Sequence, residues 1–120
     1  VEVTRMAMQV YGSYGTMKPY HLSGNLLFLQ KGDRAGLNTI QFAQRKARHS
    51  AAYGQPSKNA QDQLKNGDMS VLIRPDVFPN QGGLPIRVDG RVIGAMAASG
   101  APSEVDEAIV QTAIDALLKK

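Results

Sequence analysis

Residues 82–117 read GGLPIRVDGRVIGAMAASGAPSEVDEAIVQTAIDAL, and this stretch decides the fold. Leu84, Ile86 and Val88 alternate with Pro85 and Arg87, the period of a strand with one buried face. Asp89-Gly90 is a two-residue turn signal that requires positive φ, so a hairpin follows. The returning run Arg91 to Ser99 is apolar and holds Gly94, Ala95, Ala97 and Ala98, small residues against which another element packs closely. Ser103 with Asp106 three positions on reads as an N-cap and an acidic partner. Val105, Ala108, Ile109, Thr112, Ala113, Ala116 and Leu117 then recur at three- and four-residue spacing, which predicts one amphipathic helix.

Working back toward the N-terminus, Val3, Met6, Ala7 and Val10 share a helical face, which predicts a first helix over 1–11 ended by Gly12 and Gly15. Met17 to Leu22 reads as an entering strand, with Pro19 confining it to an edge. Ser23-Gly24-Asn25 makes a turn and Leu26 to Gln30 a second strand. Leu37 to Tyr53 is a long helix whose inner face is Ile40, Ala43, Ala47 and Ala51. Ser57 caps a shorter helix through Leu64, stopped by Asn66-Gly67; Met69 to Ile73 extends briefly before a loop over 74–83. The expected architecture is a single α+β domain over 1–120: an antiparallel sheet of four to five strands in two layers, with the helices on one face.

The order of these parts resembles the GlcG/HbpS-like family, known as heme-binding or heme-degrading domains and found as the C-terminal part of some corrinoid adenosyltransferases. Gly82-Gly83-Leu84-Pro85-Ile86, Gly90-Arg91-Val92-Ile93-Gly94-Ala95, Ser99-Gly100 and Asp106-Glu107 carry one block of the resemblance. Ser23-Gly24-Asn25-Leu26-Leu27, Asp33, Ala35, Thr39-Ile40, Ala43, Lys46-Ala47 and Pro56-Ser57 carry a second. The resemblance implies a profilin-like fold, homo-oligomers, and binding of heme or a related flat or anionic small molecule. It also places His21 where the family commonly has Asp, and His49 where it commonly has Thr.

Composition narrows the chemistry. A chain of 120 residues has room for one core, and no apolar run approaches the roughly 20 residues that cross a bilayer. With no cysteine there is no disulfide, thiolate metal site or cysteine nucleophile, and two histidines are too few for a closed nitrogen-ligand metal site. The net charge of +4 is scattered apart from Arg45, Lys46 and Arg48, so nucleic acid is not an expected partner and anionic small molecules are. No leader is legible and the chain begins at Val1, which leaves the compartment open.

Six residues are candidates for function, most of them with a plainer alternative. His21, at the end of a predicted strand beside Tyr20, is either an axial or hydrogen-bonding ligand to heme or a half-buried polar residue. His49 and Lys46 either contact an acidic substituent of the ligand or are solvated helix residues. Gly82-Gly83 either let the backbone approach a ligand, closing one wall of a cleft between the long helix and the sheet, or serve a loop with positive φ. Asp33, with His21 and Lys46, completes a constellation able to move protons, so a cofactor-independent isomerase, lyase or cyclase is the alternative function. An oligomeric accessory subunit is the third. Asp106 is assigned to the helix start, where its carboxylate meets the N-terminal dipole.

Overall fold

The computed structural model describes the backbone of residues 7–12 and the whole of residues 26–119. In chain order these form β1 (Ala7–Gly12), β2 (Leu26–Lys31), α1 (Leu37–Tyr53), α2 (Ser57–Lys65), a 3₁₀ turn (Met69–Ile73), β3 (Gly83–Val88), β4 (Arg91–Ser99) and α3 (Ser103–Leu118). The four strands make one antiparallel sheet in the order β2-β1-β4-β3. The fold is α+β, as the sequence implies. Asp89 (φ 51°) and Gly90 (φ 78°) turn the β3–β4 hairpin with the paired positive φ that its two-residue loop demands.

Where the first helix was expected, Ala7–Gly12 is instead an interior strand, paired with β2 on one side and β4 on the other. Four apolar positions in eleven residues satisfy a helical period by coincidence. Hydrogen bonding on both edges of β1 outweighs that weak local preference. The predicted strand over 17–22 lies outside the described residues. Met69–Ile73 is wound as a 3₁₀ turn where an extended segment was expected, because the Asp68 carboxylate accepts hydrogen bonds from both the amide (3.0 Å) and the hydroxyl of Ser70 and turns the chain locally.

Side-chain alternation on β4 sets the layering. Ala95 and Ala97 pack with Ala47 and Ala51 of α1. Met96 and Ala98 pack with Leu84 and Ile86 of β3 and with Val110 and Ile114 of α3. Since successive residues of a strand point to opposite faces, α1 and α3 lie on opposite sides of the sheet. The two-layer expectation is thereby corrected to helix, sheet, helix. Gly94 to Ser99 has no polar face to leave in water, so both sides must be covered.

Two caps also differ from expectation. Ser103 is the first residue of α3, follows Pro102, and points its hydroxyl at Asn80 Oδ1 (3.4 Å). Ser57 opens α2, but its hydroxyl accepts the Gly83 N–H at 2.9 Å and so ties α2 to the start of β3. In the α3-side core, Ile86→Val removes one methylene from a site 3% exposed and is expected to cost about 1 kcal/mol. A urea titration showing no shift of midpoint would mean that this layer is loosely packed.

Candidate functional site

Lys46 belongs to the buried stripe of α1 formed with Ala43, Ala47 and Ser50, so its position on the helix turns it inward. Its side chain runs toward the end of the sheet, where Nζ donates to the Ala98 carbonyl (3.1 Å) and to Asp106 Oδ2 (3.2 Å). Asp106 Oδ1 accepts the Ala101 N–H at 3.0 Å. Lys46 is 2% exposed and Asp106 1% exposed. This pair joins the helix on one face of the sheet to the helix on the other.

The paired glycines make the passage for that side chain. A Cβ on Gly82 would lie 2.8 Å from Lys46 Nζ and 2.9 Å from the Ala98 oxygen, and Gly82 has φ +138°, a region natural to glycine. A Cβ on Gly83 would lie 2.4 Å from the Lys46 carbonyl oxygen. The wall expected to face a ligand is therefore packed against α1. The rest of the helix–sheet gap is filled by Ala43, Ala47, Ala51, Ala95 and Ala97, all buried. Small side chains have brought helix and sheet together here, so among the described residues these positions line no open space.

Burial lowers the Lys46 pKa, opposed by the charge and hydrogen bond of Asp106. Burial also raises the Asp106 pKa, opposed by the charge of Lys46, the Ala101 N–H and the hydrogen bond from Lys46. Both groups are pulled toward neutrality by lost solvation and held charged by each other. The sequence reading assigned Asp106 only to the helix start, although a signal for more was present. Asp106, Val110 and Ile114 are spaced by four and form the buried stripe of α3, so the carboxylate sits in line with the core.

His49 lies one turn beyond Lys46 and is 3% exposed. Its Nδ1 accepts the Phe78 N–H at 3.1 Å, and its ring tilts against Tyr53 with centroids 5.1 Å apart. Burial lowers its pKa, and the Arg74 charge lowers it further. Instead of reaching an acidic ligand group, this imidazole is a neutral acceptor for the backbone. Asp33 sits exposed in the turn between β2 and α1, and the carboxylate that meets Lys46 is Asp106. His21 lies outside the described residues. The structure thus brings together Lys46, Gly82 and Gly83 from the expected set and adds Asp106, with His49 serving a separate contact.

Among the described residues, a continuous apolar run is left open on β2. Leu26, Leu27, Phe28 and Leu29 are all exposed, Phe28 by 55%, on a strand that is at the edge of the sheet among the described residues. Consecutive strand residues face opposite ways, so apolar surface is presented on both sides. Among the described residues no helix is long and apolar enough to cross a membrane, and no group of three or more acidic or imidazole side chains is placed to hold a metal ion.

Comparison with known proteins agrees with this architecture. Protein GlcG of Escherichia coli K12 is 32% identical over 76 residues, which are 63% of this chain and 57% of GlcG, so the chain spans just over half the length of that relative. A 15.0 kDa protein from the dhaT-dhaS intergenic region of Citrobacter freundii is 28% identical over 96 residues, 77% of this chain and 68% of that protein. The crystal structure of HbpS superposes with a TM-score of 0.76 at 25% identity, covering 97% of this chain and 75% of HbpS. Klebsiella pneumoniae protein ORFY (TM-score 0.82, 22% identity, 96% and 76% covered) and PduOC crystallised in complex with heme (0.76, 23%, 92% and 77%) share the fold. The family model described as haem degrading protein HbpS-like matches residues 20–115, and with most of its length so matched, this chain belongs to the HbpS-like family.

Proposed function

We propose that this protein is a heme-binding domain in which β2 offers the apolar seat for the macrocycle and His21 supplies the axial imidazole. The observation that carries the proposal is the run of four exposed apolar residues, Leu26 to Leu29, on β2, whereas most of β3 and of the second half of β4 is buried. Support comes from the family description and from the fold shared with PduOC, which was crystallised with heme.

Heme asks three things of a site: apolar walls, cations for its propionates, and a donor with a free lone pair for iron. The described residues meet the first with β2 and the second with exposed Lys31 at its end and Arg34 just beyond it. For the third, His49 has its Nδ1 lone pair engaged by Phe78, which places its proton on Nε2, and Lys46 is enclosed with Asp106. His21, five positions before β2, is the remaining imidazole of the chain. When bound, heme supplies an iron centre able to exchange electrons and take up small ligands. The chain's part is to bind and orient the macrocycle and to keep water from its faces. Lys46, Asp106, Gly82 and Gly83 belong in this reading to the scaffold, and a Lys46 whose ammonium is enclosed with Asp106 and the Ala98 carbonyl presents no free amine as a base.

A single β2 edge covers one side of a flat ligand. We place the other wall on a second copy of the chain, whose association would also cover Phe28. Hemin titration followed at the Soret band is expected to give a saturable shift in the unaltered protein, an affinity at least about tenfold weaker in His21→Ala, and little change in His49→Asn. No Soret shift, or a shift indifferent to His21→Ala, removes the assignment. Light scattering is expected to give a mass above the 12.9 kDa of one chain, reduced by Phe28→Asp.

A further inference from the structure

The segment 74–80 has no regular secondary structure, yet it is held to the flank of α1 at three points. Arg48 Nε meets Asp76 Oδ1 at 2.9 Å, the Tyr53 hydroxyl donates to the Pro75 carbonyl, and the Phe78 N–H donates to His49 Nδ1. Phe78 itself meets Phe42, whose ring is tilted by 57° at 5.4 Å, and the Arg45 guanidinium, 4.8 Å from its ring centre. The first two polar contacts lie in water, where an ion pair or hydrogen bond contributes little. The contact through His49 is part-buried, with the imidazole itself 3% exposed, so leaving it unmade costs more than losing either of the others.

We propose that residues 74–80 form a strap that His49 holds closed while neutral and releases in acid, parting the strap's Phe78 from the aromatic flank of α1 made by Phe42 and Tyr53. The chemistry follows from which ring nitrogen carries the proton. A neutral imidazole protonated at Nε2 accepts from Phe78 N–H; an imidazolium carries N–H on both nitrogens and turns that contact into two donors facing each other. Among the charged groups around it, Arg74 on the strap repels an imidazolium even though Arg74 Nη2 stands 3.8 Å from Asp68 Oδ2. Asp76, the strap's own carboxylate, is already engaged by Arg48. Tyr53, on the same helix, spends its proton on Pro75.

The sign agrees with the geometry. Burial first and Arg74 second hold the closed-state pKa of His49 below its ordinary 6.5, so the closed state resists a proton that the opened state accepts. Closure is fully favoured above 6.5 and weakens as pH falls below it. Release is local because the next residue, Gln81, is anchored separately: its N–H donates to Gln61 Oε1 at 2.8 Å, ahead of the packed Gly82-Gly83. This device does not depend on any bound ligand.

Amide hydrogen exchange read by NMR on the full chain tests it, with rates corrected for intrinsic pH dependence. Protection of the Phe78 amide is expected to fall about tenfold or more between about pH 7.5 and about pH 5, while the Ala98 amide, bonded to the Gly82 carbonyl, keeps its protection. His49→Asn, which offers a carbonyl acceptor that does not titrate, is expected to keep Phe78 protected throughout. His49→Phe, which fills the space without an acceptor, is expected to leave it exchanging at every pH. Phe78 protection that is flat in the unaltered protein, that falls in step with Ala98, or that shows the same pH dependence in His49→Asn overturns the proposal.

Discussion

Replacing Lys46 by methionine is expected to destabilise the protein by about 3–5 kcal/mol, the usual penalty for removing one partner of a fully buried ion pair. The methionine fills most of the space, so the loss comes from Asp106, left in a site 1% exposed with the Ala101 N–H as its identified donor. Asp106→Asn is expected to cost a similar amount for the opposite reason, an ammonium held against the Ala98 carbonyl with no counter-charge. The double variant Lys46→Met/Asp106→Asn removes both charges and keeps an oxygen for Ala101. It is expected to return to within about 1–2 kcal/mol of the unaltered protein, far from the sum of the singles.

The two single variants also separate by pH. In Lys46→Met the folded-state pKa of Asp106 stands above its unfolded value, so the folded state binds a proton that the unfolded state has lost, and stability is regained as pH falls toward 3.8. In Asp106→Asn the folded-state pKa of Lys46 stands below its unfolded value, so stability is regained as pH rises toward 10.5. Urea midpoints measured across pH give both slopes. Additive costs below about 1 kcal/mol each, without opposite pH trends, would show that the pair is solvated and does not join the two helix layers.

Gly83→Ala is the second large effect. The added methyl would lie 2.4 Å from the Lys46 carbonyl oxygen and 2.8 Å from its carbon, and these are backbone atoms of α1 with no rotamer to escape into. The helix would have to lift from the sheet, parting Ala47 and Ala51 from Ala95 and Ala97. Overpacking ordinarily costs roughly 1–3 kcal/mol, and a clash with an entire helix belongs at or above the top of that range. Gly90→Ala is the control. Nothing lies within 4 Å of its Cβ, so only its φ of +78° is penalised, at about 1 kcal/mol. Thermal melting of the two variants compares them directly; a Gly83→Ala no worse than Gly90→Ala would mean that the contact between α1 and β3 is yielding.

Legibility in the sequence followed the range of the interactions. The bounds of α1, the β3–β4 turn and α3 were readable to within a residue because period, glycine and a preceding proline all act locally. Ala7–Gly12 was misread because a short apolar segment fits two periods, and only its neighbours β2 and β4 choose between them. Lys46 stood out as a lysine on a small-residue helix face, with a solvated position left open, and the structure buries it. Its partner was not foreseen, since the 60 residues between Lys46 and Asp106 leave no local trace of their meeting. For His49 the decisive feature is an amide 29 residues away, which no spacing rule reports.

The sequence by itself determined the α+β class, the hairpin, the two long helices and the small-residue surfaces, because each follows from periodicity and from which backbone angles Gly, Asp and Pro admit. Tertiary structure alone decided that β1 is an interior strand, that α1 and α3 cover opposite faces, and that Lys46 passes Gly82 to meet Asp106 at the end of the sheet. Those outcomes depend on hydrogen-bond ladders, packing volume and desolvated charge between residues far apart in the chain, and such energies exist only once the elements are assembled.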